Sequence, residues 1–369
     1  MASFEFSSIF GDLTKNTQIR FDEATALDKR IVDNVIIEKY MDWDTPTIGL
    51  EFDEMIGQYN ISIAAPTIGD DSKEPIMGSN GLQTLSGKVF THALSKPMKI
   101  QTYRKILQIL DSKSIADDIK KEQLIELMWG EVTSVVAAPY AKLDMIFLQA
   151  ISNEGVATLD GTTNPEGIPV TIDYKQPAGN IATSTGGDEW TDANIATVDC
   201  FSQIMSIVEA ASEKVKFGKI LIAPALFSYF CRATKTRQLI HGTNDSSKIV
   251  QLSDVNSYME SNDLPTFEII RRQVKVQNGK SVSTITPFNG KNLVFVPDGK
   301  LGIIKNAYAN NELRKEPGVA YSNYGRIRVS QWGVGETQGK NGVEYTKAES
   351  LSVPLITEMN GIYTLRAKS

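Results

Sequence analysis

An α+β fold is predicted by three features of the chain. Residues 57–101 are patterned as strand, polar tip and strand. An apolar stripe of helical period runs from near Asp117 to residue 152. Beyond residue 265, short apolar strands alternate with Gly-containing turns. Helical and strand-like stretches are therefore segregated, as in α+β proteins, and do not alternate as βα units.

Residues 1–50 read as an extended arm with one short helix. Between Asp28 and Tyr40, the residues Ile31, Val32, Val35, Ile36 and Tyr40 stand at helical spacing. Pro46 disfavours helix at Thr45 and breaks the pattern. The rising arm of the hairpin is Gln58-Tyr59-Asn60-Ile61-Ser62-Ile63-Ala64, apolar at every second place, and the falling arm is Lys88 to Leu94. The residues between the arms are rich in Gly, Asp and Ser. An isolated two-stranded hairpin is marginal in water, and its open edges invite pairing with another chain. A hairpin this long should lie on something else, and a neighbouring copy is the economical candidate.

A helix is expected from Tyr103 to about Leu110, and a much longer one from Asp117. Leu124, Leu127, Met128, Val132, Val135, Val136, Tyr140, Leu143, Ile146, Phe147 and Ala150 form its stripe. Pro139 should kink or split it, and Gly155 and Gly161 end it. Its length suits a spine across a flat domain. After the polar stretch 162–190, Thr191 is the expected N-cap of a helix carrying Ile195, Val198, Phe201, Met205 and Val208, stopped by Gly218. Lys219–Ala223 reads as a buried strand. Pro224 opens a helix running to about Leu239, and residues 241–249 form a polar loop. Strands are expected at 267–270, 274–276, 293–296, 301–304, 321–332 and 343–367. Asn278-Gly279, Asn289-Gly290 and Asp298-Gly299 are hairpin turn signals.

Composition narrows the function. The 369 residues allow two or three domains, and 41% apolar with 22% charged residues is ordinary for a folded protein. A net charge of -6 gives no overall basic footprint for nucleic acid. Cys200 and Cys231 make no disulfide framework and suggest a reducing compartment. No basic start with an apolar run marks a signal peptide, and no long unbroken apolar run predicts a membrane helix. Synthesis and folding in a cytoplasm are expected.

No constellation for chemistry emerges. His92 and His241 have no metal-ligand spacing and read as structural or solvent-facing. Both cysteines read as small buried apolar groups, not nucleophiles. Gly333-Val334-Gly335-Glu336-Thr337-Gln338-Gly339-Lys340 approaches a phosphate loop, but Asn341 follows Lys340 and strands flank it on both sides. It reads as a hairpin turn. Carboxylate neighbours such as Asp53-Glu54 and Asp70-Asp71 point apart on extended backbone. No enzyme, cofactor site or metal site is expected, and a binding or structural role is.

Several blocks, in order, carry a resemblance. They are Ala141-Lys142-Leu143-Asp144 to Ala150 with Gly155-Val156-Ala157-Thr158, and Gly187-Asp188-Glu189-Trp190 before a helix. Lys219 to Pro224 with Phe227 and Phe230 follows, then Phe267 to Lys280 with Thr286-Pro287 and Asn292 to Gly302. Ser350-Leu351-Ser352-Val353-Pro354-Leu355 closes the set. Together they resemble tailed-phage major capsid proteins, in the lambda-type major head protein group (phage major capsid protein E). The resemblance covers most of the chain beyond residue 40.

The resemblance implies the HK97-type capsid fold. It assigns residues 1–50 to an N-terminal arm and 51–100 to the E-loop. Residues 101–163 and 312–369 would form the peripheral domain, and 164–311 the axial domain. It implies a major capsid protein that forms hexamers and pentamers and closes into an icosahedral shell around double-stranded DNA. An encapsulin-like nanocompartment subunit is the alternative. Expected partners are other copies of the chain, a portal, a separate scaffold protein, a decoration protein and packaged DNA held without sequence reading; no membrane is expected. The virion is the implied location, after assembly in the bacterial host cytoplasm. The E-loop tip, Gly69, Asp70, Asp71, Ser72, Lys73 and Glu74, is the expected copy-to-copy contact. Family members that cross-link join an E-loop Lys to a partner Asn. Here Lys73 and Lys88 lie in the loop, but no motif identifies an acceptor, and both read as solvated lysines.

Overall fold

The computed structural model describes residues 35–56, 83–98, 117–243, 248–334 and 343–368, with isolated positions between 104 and 111. The rising hairpin arm at 58–64, the loop tip and residues 28–34 of the helix expected between Asp28 and Tyr40 lie outside the described residues. In chain order the elements begin with α1 (Ile37–Tyr40), β1 (Met41–Trp43), β2 (Glu51–Ile56), β3 (Gln83–Lys88), β4 (Phe90–Pro97) and α2 (Asp117–Ser152). Next come β5 (Val156–Leu159), β6 (Val170–Asp173), β7 (Ile181–Thr183), α3 (Cys200–Ala211), β8 (Phe217–Ile222), α4 (Pro224–Arg232) and α5 (Thr234–His241). α6 (Leu252–Ser261), β9 (Thr266–Ile269), β10 (Val274–Asn278), β11 (Ser281–Ile285) and β12 (Asn292–Pro297) follow. The chain ends with β13 (Gly302–Ala307), α7 (Asn310–Leu313), β14 (Ala320–Tyr324), β15 (Ile327–Val334), β16 (Val343–Ile356) and β17 (Tyr363–Arg366).

The chain divides into two compact units. One comprises Met1–Glu51, Lys88–Asp144 and Ile304–Pro354; the other comprises Phe52–Gly87, Met145–Ile303 and Leu355–Ser369. At 36 residues, α2 is about 54 Å long at 1.5 Å per residue. Pro139 lies inside it and does not split it. A mid-helix proline costs about 3 kcal/mol, and the burial of Val132, Val135, Val136, Tyr140 and Leu143 around it offsets that cost. The stretch Val132–Ser152 is apolar enough to cross a membrane by composition, but 72% of its apolar window is buried within the protein. It is a core helix.

In the first unit, a sheet runs in the order β1-β13-β16-β15-β14, with β4 also paired to β16. β16 takes β4 antiparallel from Ser352↔Phe90 to Tyr345↔Pro97, and β15 from Glu349↔Arg328 to Val343↔Val334. Of the falling arm of the expected hairpin, Phe90–Leu94 thus pairs with β16. The ribbon of residues 51–88 pairs β2 with β3, while Phe90–Pro97 leaves it and joins the large sheet. A period-2 pattern specifies a strand and its buried face but not its partner. The β15–β16 pairing agrees with the expected hairpin around 333–342, whose turn lies outside the described residues.

The second unit holds a sheet in the order β7-β17-β12-β8-β9. All six residues of its central strand β12 are buried. β8 and β9 run parallel, and the helices between them provide the crossover that parallel pairing requires. The core gathers Ile204, Ile207, Phe227, Phe230, Met259, Phe267 and Phe295 with Trp190. Pro224 opens α4 as expected, but that helix breaks at Ala233, and α5 starts afresh. Two further expectations are corrected. Thr191 opens only a short 3-10 turn, Asp192–Asn194, and Asp199 caps α3 through its side chain, which accepts from Ser202 N at 2.9 Å. The buried face of α3 is Cys200, Ile204, Ile207 and Ala211, one position from the residues expected. Asn278-Gly279 does make a hairpin, with Gly279 at φ +57. Asn289-Gly290 does not. Asn289 N instead donates to Ser152 Oγ, and Asn292 Nδ2 donates to Ser152 O at 2.8 Å, satisfying the end of α2. Asp298-Gly299 joins strands of two different sheets.

Candidate assembly surfaces

The cysteines and His92, weighed in the sequence and read as structural, are placed as follows. Cys200 is buried on the core face of α3, and burial, with the Asp199 charge second, pushes its thiol up to about 12. Burial, with Asp254 second, pushes Cys231 up to about 11. Neither is a thiolate at neutral pH. His92 is buried in β4, and burial, then the charge of Lys142, push its imidazole down to about 4. It is therefore neutral. Among the described residues, no group of three or more His, Cys, Asp or Glu could hold a metal ion.

What the described residues offer instead is positioned surface. The segment leading out of residues 1–34 is anchored by Asp144 on α2. Its buried carboxylate accepts from Ile36 N at 3.0 Å and Ile37 N at 2.9 Å through one oxygen. The ring of Trp43 stands edge-on to Tyr140, and Tyr140 edge-on to Tyr324. Asp44 meets Lys305 of β13 at 2.6 Å, and that hydrogen bond is the main cause holding the carboxyl of Asp44 below its usual range. The sequence pattern pointed to a short helix here but gave no signal for Asp144 as its anchor, because the contact spans more than a hundred residues.

The β2–β3 ribbon begins where this anchored segment ends. Gly87 of β3 lies under the Phe52 ring, and an added Cβ would come within 2.9 Å of it. Lys88 pairs with Glu51 at 3.3 Å, both exposed. The tip residues Gly69, Asp70, Asp71, Ser72, Lys73 and Glu74 lie outside the described residues. In the second unit, the hairpin β10–β11 buries Val274 and Val276 and exposes Ser281–Thr284. Glu166 ties the loop after β5 to its turn by accepting from Gly279 N at 2.8 Å. The Gly187–Trp190 segment is held by Gln203. Gln203 Oε1 accepts from Ser184 Oγ at 2.6 Å and Trp190 Nε1 at 3.1 Å, while Trp190 stacks on Tyr229 and Phe230.

The family described as phage major capsid protein E matches residues 96–332, close to two thirds of the sequence. The chain belongs to that family. This capsid protein shares its fold with the putative capsid protein of a prophage of E. coli CFT073. That likeness has a TM-score of 0.60 at 12% identity, over 96% of this chain and 98% of that one. A phage-related protein from Bordetella bronchiseptica RB50 is similar with a TM-score of 0.48 at 11% identity, over 91% and 92% of the two chains. The mature capsid of bacteriophage PhiM1 gives 0.44 at 11% identity, over 90% and 87%. No curated protein matches in sequence. The α+β, HK97-type capsid fold implied by the resemblance is the fold of this chain, and its function is that of a tailed-phage major capsid protein. The match is to a phage family and does not favour the nanocompartment alternative.

Proposed function

We propose that copies of this capsid protein assemble through hexamers and pentamers into an icosahedral head around double-stranded DNA. The observation that carries the reading is the family match joined to the ribbon β2–β3, which among the described residues is a sheet of two strands. A two-stranded ribbon needs a further surface to lie on. In a ring of identical subunits that surface is the next copy, through heterologous contacts whose rotation closes the ring. Residues 1–50 act as the bracing arm and 51–100 as the covering loop, with contact at the tip Gly69–Glu74. Residues 101–163 and 312–369 serve as the peripheral domain, and 164–311 as the axial domain meeting at the capsomer centre.

Obligate interfaces of this class bury some thousands of Å² in total, enough to hold a shell without covalent links. Packaged DNA meets the inner surface through phosphates, without sequence reading. A net charge of -6 keeps that affinity low. A portal, a separate scaffold and a decoration protein complete the particle, which assembles in the host cytoplasm, and the subunit itself performs no catalysis. Negative-stain microscopy of the full chain, expressed with a scaffold, tests the reading. Closed shells support it; monomers or dimers under every such condition sink it.

A further inference from the structure

In the second unit, β11 is an unguarded sheet edge. Among the described residues, β10 and β11 form a sheet of two strands, in register from Val274↔Ile285 to Asn278↔Ser281. Val274 and Val276 of β10 are buried, whereas Ser281, Val282, Ser283 and Thr284 of β11 are all exposed, Val282 by 62%. Gly279 N donates to Glu166 Oε1 at 2.8 Å, which holds the turn of this ribbon from the loop after β5. Edge strands are ordinarily blunted by charge, proline or a bulge. β10 carries Lys275, but Ser281–Ile285 has no charge, no Pro and no Gly, and its register with β10 is unbroken. Its Val, Thr and Ile are residue types that favour strand pairing.

The register shows which backbone groups are open. The two-residue turn Gly279-Lys280 makes the closing pair Asn278↔Ser281 a hydrogen-bonded one, and such pairs alternate along an antiparallel ladder. Ser281, Ser283 and Ile285 therefore turn their N–H and C=O groups towards β10, and Val282 and Thr284 turn theirs outward. A second β11, run antiparallel and centred on Ser283, meets those outward groups. Val282 of each copy then faces Thr284 of the other, and both pairs exchange N–H···O bonds in each direction. β-branched side chains opposite one another favour this register. No like charges meet. Lys275 lies on the far strand, at three strand spacings or more than about 14 Å from its equivalent, beyond the screening length of about 8 Å at physiological salt. The Lys280 turns lie at opposite ends of the pairing, about 20 Å apart. A charged foreign strand would find no opposite charge on β11 to meet.

We infer that β11 is a seam between copies: Ser281–Ile285 of two subunits pair antiparallel about Ser283 and join two β10–β11 ribbons into one sheet. This rests on the shell-subunit reading and deepens it by naming a contact of a different symmetry. A strand paired with its own copy is an isologous contact and closes on two subunits, whereas contacts round a ring are heterologous. The seam therefore ties one ring to the next. A seam of five residues a side buries far less than the ~1,200 Å² of a stable interface. It forms among copies that a shell already holds close.

The test is disulfide trapping of Ser283→Cys in particles assembled from the full chain, with Gln277→Cys as control. Facing residues in a pair without hydrogen bonds have Cα atoms about 4.5 Å apart, within disulfide range, and the control positions on the two outer strands lie beyond it. Burial keeps the thiols of Cys200 and Cys231 protonated, so background is low. A linked dimer on a non-reducing gel, about fivefold or more above the control, is the expected result. Closed particles without that dimer overturn the inference while the shell reading stands. Paired charges give a second readout, particle yield, with the melt of the free subunit as the check on folding. V282K/T284K sets Lys opposite Lys in both hydrogen-bonded pairs and should lower yield about tenfold, whereas V282E/T284K sets Glu opposite Lys and should keep it within about twofold. Equal yields from the two variants overturn the inference. If the unaltered chain forms no shell under any condition, the shell reading fails and the inference falls with it.

Discussion

At the residue scale, two buried polar groups control how the first unit responds to change. His92 stands opposite Ser350 where β4 meets β16. Burial holds its pKa near 4, against 6.5 in an unfolded chain. Below pH 6.5 the unfolded chain takes up a proton that the folded one refuses until about pH 4. Stability is therefore present above pH 6.5 and lost as pH falls through that window. The loss reaches about 3 kcal/mol at its acid end, at 1.36 kcal/mol per pH unit. His92→Gln should flatten the fall of Tm between pH 7 and 4.5 relative to the unaltered chain. Parallel curves would show that His92 titrates as an ordinary histidine. Asp144 is the second group. Asp144→Ala leaves the Ile36 and Ile37 N–H groups without their acceptor, at about 1–3 kcal/mol for each unsatisfied group. Asp144→Asn keeps an acceptor oxygen and should lose less. Thermal melting of the pair would show equal losses if these hydrogen bonds are not what matters.

At the scale of elements, tertiary contacts moved the start of one helix away from the residue expected to cap it. Thr191 and Asp199 are both N-cap residue types. Trp190 N donates to Ala367 O at 2.7 Å, and Tyr229 Oη donates to Thr191 O at 2.8 Å, which hold this stretch extended. The helix starts at Asp199 instead. Asp199→Ala should cost about 1 kcal/mol, and Thr191→Ala less than about 0.5 kcal/mol, read by denaturant melts. Equal costs would contradict the assignment. α2 was legible because its apolar period persists over many turns. α6 was not, because Leu252, Val255 and Met259 are thinly spread through a polar stretch. The expectation of a two-armed hairpin gave a strand near residue 90 but no hint of its pairing with β16, which lies more than two hundred residues away. Gly302 is a further element-scale constraint. A Cβ there would meet Leu355 O at 2.0 Å, whereas one at Gly49 meets nothing within 4 Å. Gly302→Ala should lower Tm by at least about 5 °C and Gly49→Ala by less than about 2 °C. A tolerated Gly302→Ala would mean that β13 and the turn after β16 can separate freely.

At the scale of the whole molecule, the family was legible and the contacts were not. The blocks around Ala141, Trp190, Pro224 and Pro354 owe their form to packing. Trp190 stacks against α4, Pro224 opens that helix, and the residues near Ala141 include Asp144, whose carboxylate accepts from Ile36 N and Ile37 N. Packing constraints leave a readable trace in residue order. Contacts between copies do not, because their partner is another molecule. Deleting residues 68–80 should leave a folded subunit with an unchanged melt and abolish stable particles in sedimentation; normal heads from that deletion would contradict the role given to the loop. The most direct test of the shell-subunit account is a cryo-EM reconstruction of particles assembled from the full chain. The account predicts an icosahedral shell of sixfold and fivefold rings, with residues 57–82 of each copy lying over its neighbour. A closed particle in which that segment contacts only its own subunit, or no closed particle at all, would contradict it.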